Sequence, residues 1–207
     1  MTITYPLSLP TNATPNQVTV DMQYVVAANA SIFTREAQAY KHQGEQWVME
    51  FSLPQLTRAE AMEWIAFRNK LRGSYGTFLM GDPSGRLPRG ATGGSPLVAG
   101  AGQVGYELDI DGCTADVTGW LLKGDYFQLG TGLTARLHQL VDDADTDGSG
   151  ATTLHFVPAI ITAPADNAAL VVTAAKGLFR LESPTVSFTA IPGEDITGQS
   201  FRAFSVI

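Results

Sequence analysis

Four constellations in the 207-residue chain carry residue types that do chemistry in other settings. Asp143, Asp145, Asp147 and Gly148 reproduce the first half of a calcium-binding loop, with carboxylates at alternate positions and a glycine for the sharp turn. The second half is missing: the twelfth position is Leu154, where a bidentate glutamate is needed, and the flanks at 136–141 and 152–157 read as strands. The expectation is a solvated hairpin loop, with Asp143, Asp145 and Asp147 as candidate ligands of a weak cation site. Gly100, Gly102 and Gly105 satisfy G-x-G-x-x-G, but a dinucleotide site needs a helix next, and the strand-like Y-E-L-D-I follows instead. A turn between strands is predicted there. His138 and His155 are expected to be neighbours across the hairpin, either as a transition-metal clamp or as partly exposed sheet residues. Trp47, Trp64, Trp120, Tyr126 and Phe127 are candidates for a sugar-stacking platform or for core packing.

Beyond these, the sequence offers little to a catalyst. It has no G-x-S-x-G elbow, H-E-x-x-H or P-loop, and its acidic residues are ample without any pair standing out. The one cysteine, Cys113, has no partner for a disulfide or zinc site and reads as a small half-buried side chain. No enzymatic activity and no cofactor are predicted. Net charge is −7 with scattered Lys and Arg, so no basic stripe offers itself to a phosphate backbone, and direct nucleic-acid binding is not expected. The start lacks a basic n-region and no run of about 18 apolar residues occurs, so neither export nor a membrane is predicted, and folding in a cytosol is.

The elements that must position these residues are mostly strands. Low charge with abundant Gly, Pro, Thr and Val is the composition of a mainly β protein with many turns. Short strands are predicted over 19–25, 31–33 and 46–53, the last with Trp47, Met49 and Phe51 on one face. Thr57 and Glu60 form a capping box, and Ala61, Trp64, Ile65, Phe67, Arg68 and Leu71 give the apolar face of a helix over 58–72, with Gly73 as its left-handed cap. A strand over 76–80 ends at Asp82-Pro83. Residues 83–96 lose all periodicity and mark a boundary. Further strands are predicted near 98 and over 106–110, 119–122, 125–129, 135–141, 152–157 and 170–172, spaced as in a small barrel or sandwich. The tail adds strands over 177–181, 185–189 and 201–206.

Two stretches resemble a known family. The helix carrying Trp64 and Phe67 runs through Gly73-Ser74-Tyr75 into Gly76-Thr77-Phe78 and ends at Asp82-Pro83. Lys123-Gly124-Asp125-Tyr126-Phe127-Gln128-Leu129-Gly130 with Arg136-Leu137-His138-Gln139-Leu140-Val141, then Phe156-Val157-Pro158-Ala159-Ile160, form a second pattern. Both resemble segments of the distal tail proteins of long-tailed, non-contractile (siphovirus-like) bacteriophages. The resemblance implies a β-sandwich belt domain with one α-helix, made of residues 1–83 and 177–207, interrupted by an inserted oligonucleotide-fold-like small β-barrel over 84–176. It also implies a structural virion protein of the tail, assembled in the host cytoplasm. Its partners would be itself, in a ring that is expected to be a homohexamer, the tail tube protein, and the tail hub or baseplate proteins, with DNA passing through the lumen. The alternative it leaves open is a carbohydrate-binding module of a tail tip.

Overall fold

Local signals place the helix. The Glu60 carboxylate accepts hydrogen bonds from the Thr57 backbone N–H at 3.0 Å and from its hydroxyl at 2.7 Å, closing the first turn. The helix ends one residue earlier than expected, because Arg72 itself adopts the left-handed conformation at φ 53°. Gly73 follows at φ 68°, where a Cβ would meet the Pro184 carbonyl oxygen at 2.5 Å, so this close approach requires glycine.

The computed structural model describes residues 3–189, 196 and 200–206. Residues 1–2, 190–195, 197–199 and 207, all within the predicted first unit, lie outside the described residues. The first elements are β1 (Leu7–Ser8), β2 (Gln17–Ala30), β3 (Ala37–Ser52), α1 (Arg58–Leu71) and β4 (Phe78–Met80). There follow β5 (Gly94–Val98), β6 (Gly105–Cys113), β7 (Tyr126–Leu129), β8 (Arg136–Leu140), β9 (Thr152–Ile160) and β10 (Leu170–Val171). β11 (Gly177–Leu181) and β12 (Ser200–Ser205) complete the chain, which is mainly β with one α-helix among the described residues.

The first sheet has the order β1-β4-β11-β12-β3-β2, and α1 packs on one face of it. Trp47, Met49 and Phe51 supply the inward stripe, meeting Trp64, Phe67 and Leu71 of the helix. Phe201 from β12 stacks on Phe51 at 4.8 Å and touches Trp64 at 5.7 Å. Burying each of these large apolar side chains contributes roughly 1.5–3 kcal/mol, which is what fixes the helix on the sheet. The second sheet has the order β10-β7-β8-β9-β6-β5. Its ends meet where Val98 N–H donates to Ala168 O at 3.0 Å and Asn167 N–H to Val98 O at 2.9 Å. The sheet thereby rolls into a nearly closed barrel around Leu108, Ile110, Trp120, Phe127, Leu154 and Phe156.

The chain leaves the first sheet after Met80 and returns at Gly177, and these two residues are direct cross-strand partners. The two sheets share a seam. Trp47 Nε1 donates to Leu137 O at 2.8 Å, the Tyr106 hydroxyl donates to Glu45 Oε1 at 3.0 Å, and Tyr126 and Leu137 enter the first sheet's core.

Several strands differ from expectation. Residues 31–33 belong to the turn of a long hairpin, whose strands β2 and β3 run well past the predicted 19–25 and 46–53. Residues 119–122 form a turn with a single bridge, Leu121 to Ala144, because Gly119 at φ 66° and the Asp125 carboxylate bend the backbone. Residues 185–189 are irregular, and the Ser187 carbonyl accepts from Arg68 Nη1 at 3.0 Å instead of from a ladder.

Candidate functional site

The three carboxylates proposed as cation ligands do not converge. Asp143 accepts from the Lys123 backbone N–H at 2.8 Å, and Asp145 from the Gly119 N–H at 2.6 Å. Asp147 Oδ1 takes Ser149 N–H, Ser149 Oγ and Ala151 N–H between 2.7 and 2.9 Å. Hydrogen bonding to Ala151 and Ser149 holds its carboxyl below the ordinary range. The spacing that resembled a calcium loop has another cause: Ala144 and Thr146 point inward and the aspartates between them point out, as in any extended segment. Thr146 is then held by its own hydroxyl, which donates to Thr114 O at 2.7 Å. Among the described residues no three His, Cys, Asp or Glu side chains gather as a metal-ligand group.

The histidine pair is corrected by register. Gln139 pairs with Val157 and Leu140 with Phe156, so His138 lies opposite Pro158, while Val141 bonds to His155. His138 and His155 therefore sit on opposite faces of the sheet. His138 is buried in an aromatic box, stacked on Phe127 at 5.1 Å and edge-on to Phe156 at 5.0 Å, and its Nδ1 meets Pro158 O at 2.8 Å. That acceptor assigns the proton to Nδ1, and burial pushes the imidazole pKa down to about 4. His155 is half-exposed beside Glu107 at 3.6 Å.

The remaining candidates are absorbed by packing. Trp47, Trp64, Trp120, Tyr126 and Phe127 are all buried, and Trp120 Nε1 donates to Gly93 O at 3.0 Å. Gly100 and Gly102 lie in an exposed turn and Gly105 opens β6, all three with positive φ. The Gln103 side chain fills that turn, donating to Ala99 O at 2.9 Å and accepting from Asp109 N–H at 2.7 Å. Cys113 is buried, and burial pushes its thiol up to about 11, away from reactivity.

Sequence reasoning missed three features. Asp125 is a buried carboxylate that accepts from the N–H groups of Arg89, Gly90 and Leu122 at 3.0 Å each, and from Arg89 Nε at 3.2 Å. Burial opposes its charge, and these donors more than offset that, leaving its pKa below the ordinary carboxylate value. Gly124, at φ 89°, makes the preceding turn, so the Lys123-Gly124-Asp125 motif is a structural latch. The second feature is an apolar groove of about 340 Å³ between the two sheets, with walls from Leu129, Leu137, Pro158, Ile160 and Ile161. At its edge sits the buried Glu45, whose Oε1 receives Lys41 Nζ at 2.5 Å.

The third is the outer half of the β2–β3 hairpin. Three residues, 43–45, oppose Tyr24 alone in a bulge at Gly44, φ 135°. Beyond it both strands are exposed throughout, yet paired as far as Ala30 and Ala37. The ribbon carries Tyr24, Val25, Val26 and Tyr40 on its surface and Ile32 and Phe33 at its tip, the last two 91% and 95% exposed. Apolar clusters of this kind on a soluble surface mark interaction sites. Compared with known proteins, the chain matches no family model and no curated protein.

Proposed function

We propose that this chain is a structural subunit of a phage tail, forming a ring that joins the tail tube to the tail-tip hub, and that it works through its interfaces with no chemical turnover. The observation that carries this reading is the projecting ribbon. It is a regular ladder with almost no core beneath it, tipped by two fully presented apolar side chains. An isolated ribbon of that kind is costly to maintain and has its best explanation in a surface that it covers.

Two further facts support the reading. The segments that resemble distal tail proteins hold the framework together: Trp64, Phe67 and Phe78 fill the first core, and the Asp125 latch fixes the barrel. Among the described residues β2 also leaves its outer edge unpaired over its whole length with only Asp21 charged, which suits addition of a strand from a neighbour. The carbohydrate alternative finds no support at Trp120, whose ring is fully buried. The test is direct. Light scattering and negative-stain micrographs of the full chain, alone and mixed with tail tube and hub proteins, are expected to show closed rings. Monomers in every mixture would overturn the proposal.

A further inference from the structure

The ribbon tip and the inter-sheet groove are complementary in kind and cannot meet within one molecule. The groove opens at the ribbon's base, where Glu45 and Trp47 line it. Phe33 sits in the turn beyond Ala37, and the extended strand from Glu45 to Ala37 alone spans about 26 Å at 3.3 Å per residue. Residues 26–34 carry no charge, and the exposed Arg35 and Glu36 follow directly, so a tip seated by Ile32 and Phe33 has to leave those two at the rim of the groove. Tyr24 and Val26 lie on one face of the ribbon and Val25 and Tyr40 on the other, so the tip with either face presents roughly 550 Å², a contact smaller than the about 800 Å² per partner of a typical stable interface.

Building on the ring reading, we propose that Ile32 and Phe33 of one copy insert into the groove of a second copy of this chain, between the strand ends at Leu129 and Leu137 and the segment after Ile160. Tip and groove are different surfaces, so the contact is head-to-tail. Repeated, it closes into a ring when the rotation between copies permits and runs on as an open chain when it does not.

The experiment uses the full chain. Phe33→Cys and Thr162→Cys, the latter on the exposed rim of the groove, are combined in one variant and oxidised mildly. Disulfide-linked multimers are expected from the double variant and not from either single one, Cys113 being buried. Phe33→Asp, at a position that makes no contribution to the core, should keep the wild-type melting temperature and associate at least about tenfold more weakly in sedimentation. Absence of a crosslink between positions 33 and 162 in the double variant, tip-to-tip crosslinks in Phe33→Cys alone, or unchanged association of Phe33→Asp would each overturn the insertion. Rings that persist in Phe33→Asp would refute the insertion and leave the ring reading intact, whereas crosslinked chains that never close would do the reverse.

Discussion

Replacing Asp125 by alanine is the sharpest test of how the barrel is held. The carboxylate satisfies three backbone N–H groups and the Arg89 Nε, and it is itself 4% exposed. Truncation leaves those amides facing an apolar side chain. At about 1.5 kcal/mol for each of the three lost amide bonds to a charged acceptor, the loss is about 4–5 kcal/mol. For a chain of this size each kcal/mol moves the melting point by about 2–4 °C, so D125A should melt on the order of 10 °C lower. Differential scanning calorimetry at pH 7 reads this. The Arg89 side chain is 62% exposed, so R89A should cost under about 1 kcal/mol, which separates the amide contribution from the ion pair. The pH dependence supplies a second reading. A carboxyl whose folded pKa is depressed stabilises the fold above its unfolded value of 3.8, and that contribution disappears as pH falls through the lower folded value. D125A should therefore lose less stability than the wild type between pH 4 and pH 2. A melting point within about 2 °C of wild type, with an unchanged acid profile, would refute the latch.

His138, neutral in its aromatic box with a pKa of about 4, binds a proton more weakly folded than unfolded. Stability should fall by about 3 kcal/mol as pH drops from 6.5 to 4, and the H138F variant should lack that component in urea titrations. W47F removes the Nε1 bond to Leu137 O that ties the two sheets, and is expected to cost about 1–1.5 kcal/mol in chemical denaturation. Millimolar calcium should leave the melting temperature unchanged, because Asp143, Asp145 and Asp147 are turned to separate donors; a rise of several degrees would restore the cation site.

Legibility in the sequence followed burial. Where one face of an element is inside, the pattern is strict: Trp47, Met49 and Phe51 alternate, and Trp64, Ile65, Phe67 and Leu71 recur at helical spacing, so strand and helix were both readable. The outer ribbon buries neither face, and residues 26–43 consequently show no alternation, although 25–30 and 37–42 pair as a regular ladder. The histidines were misplaced because register depends on the geometry of the 141–151 loop, which residue types alone do not specify. Period-2 aspartates resembled a metal loop for the same reason that strands alternate. Asp125 gave no signal beyond its place in Lys123-Gly124-Asp125, since a buried acceptor is defined by where the distant amides of Arg89 and Gly90 end up.

The junction between Met80 and Gly177 has a consequence for how such a chain diversifies. The barrel enters and leaves through two residues that are already ladder partners, so to the first sheet the whole of 81–176 is one hairpin loop. Closing a flexible loop costs only about 0.6 kcal/mol more for each doubling of its length. The sheet is therefore nearly indifferent to the size of what is carried there. Exchange of the barrel for an unrelated module would be limited by the seam at Trp47, Tyr126 and Leu137, which any replacement must refill with apolar surface.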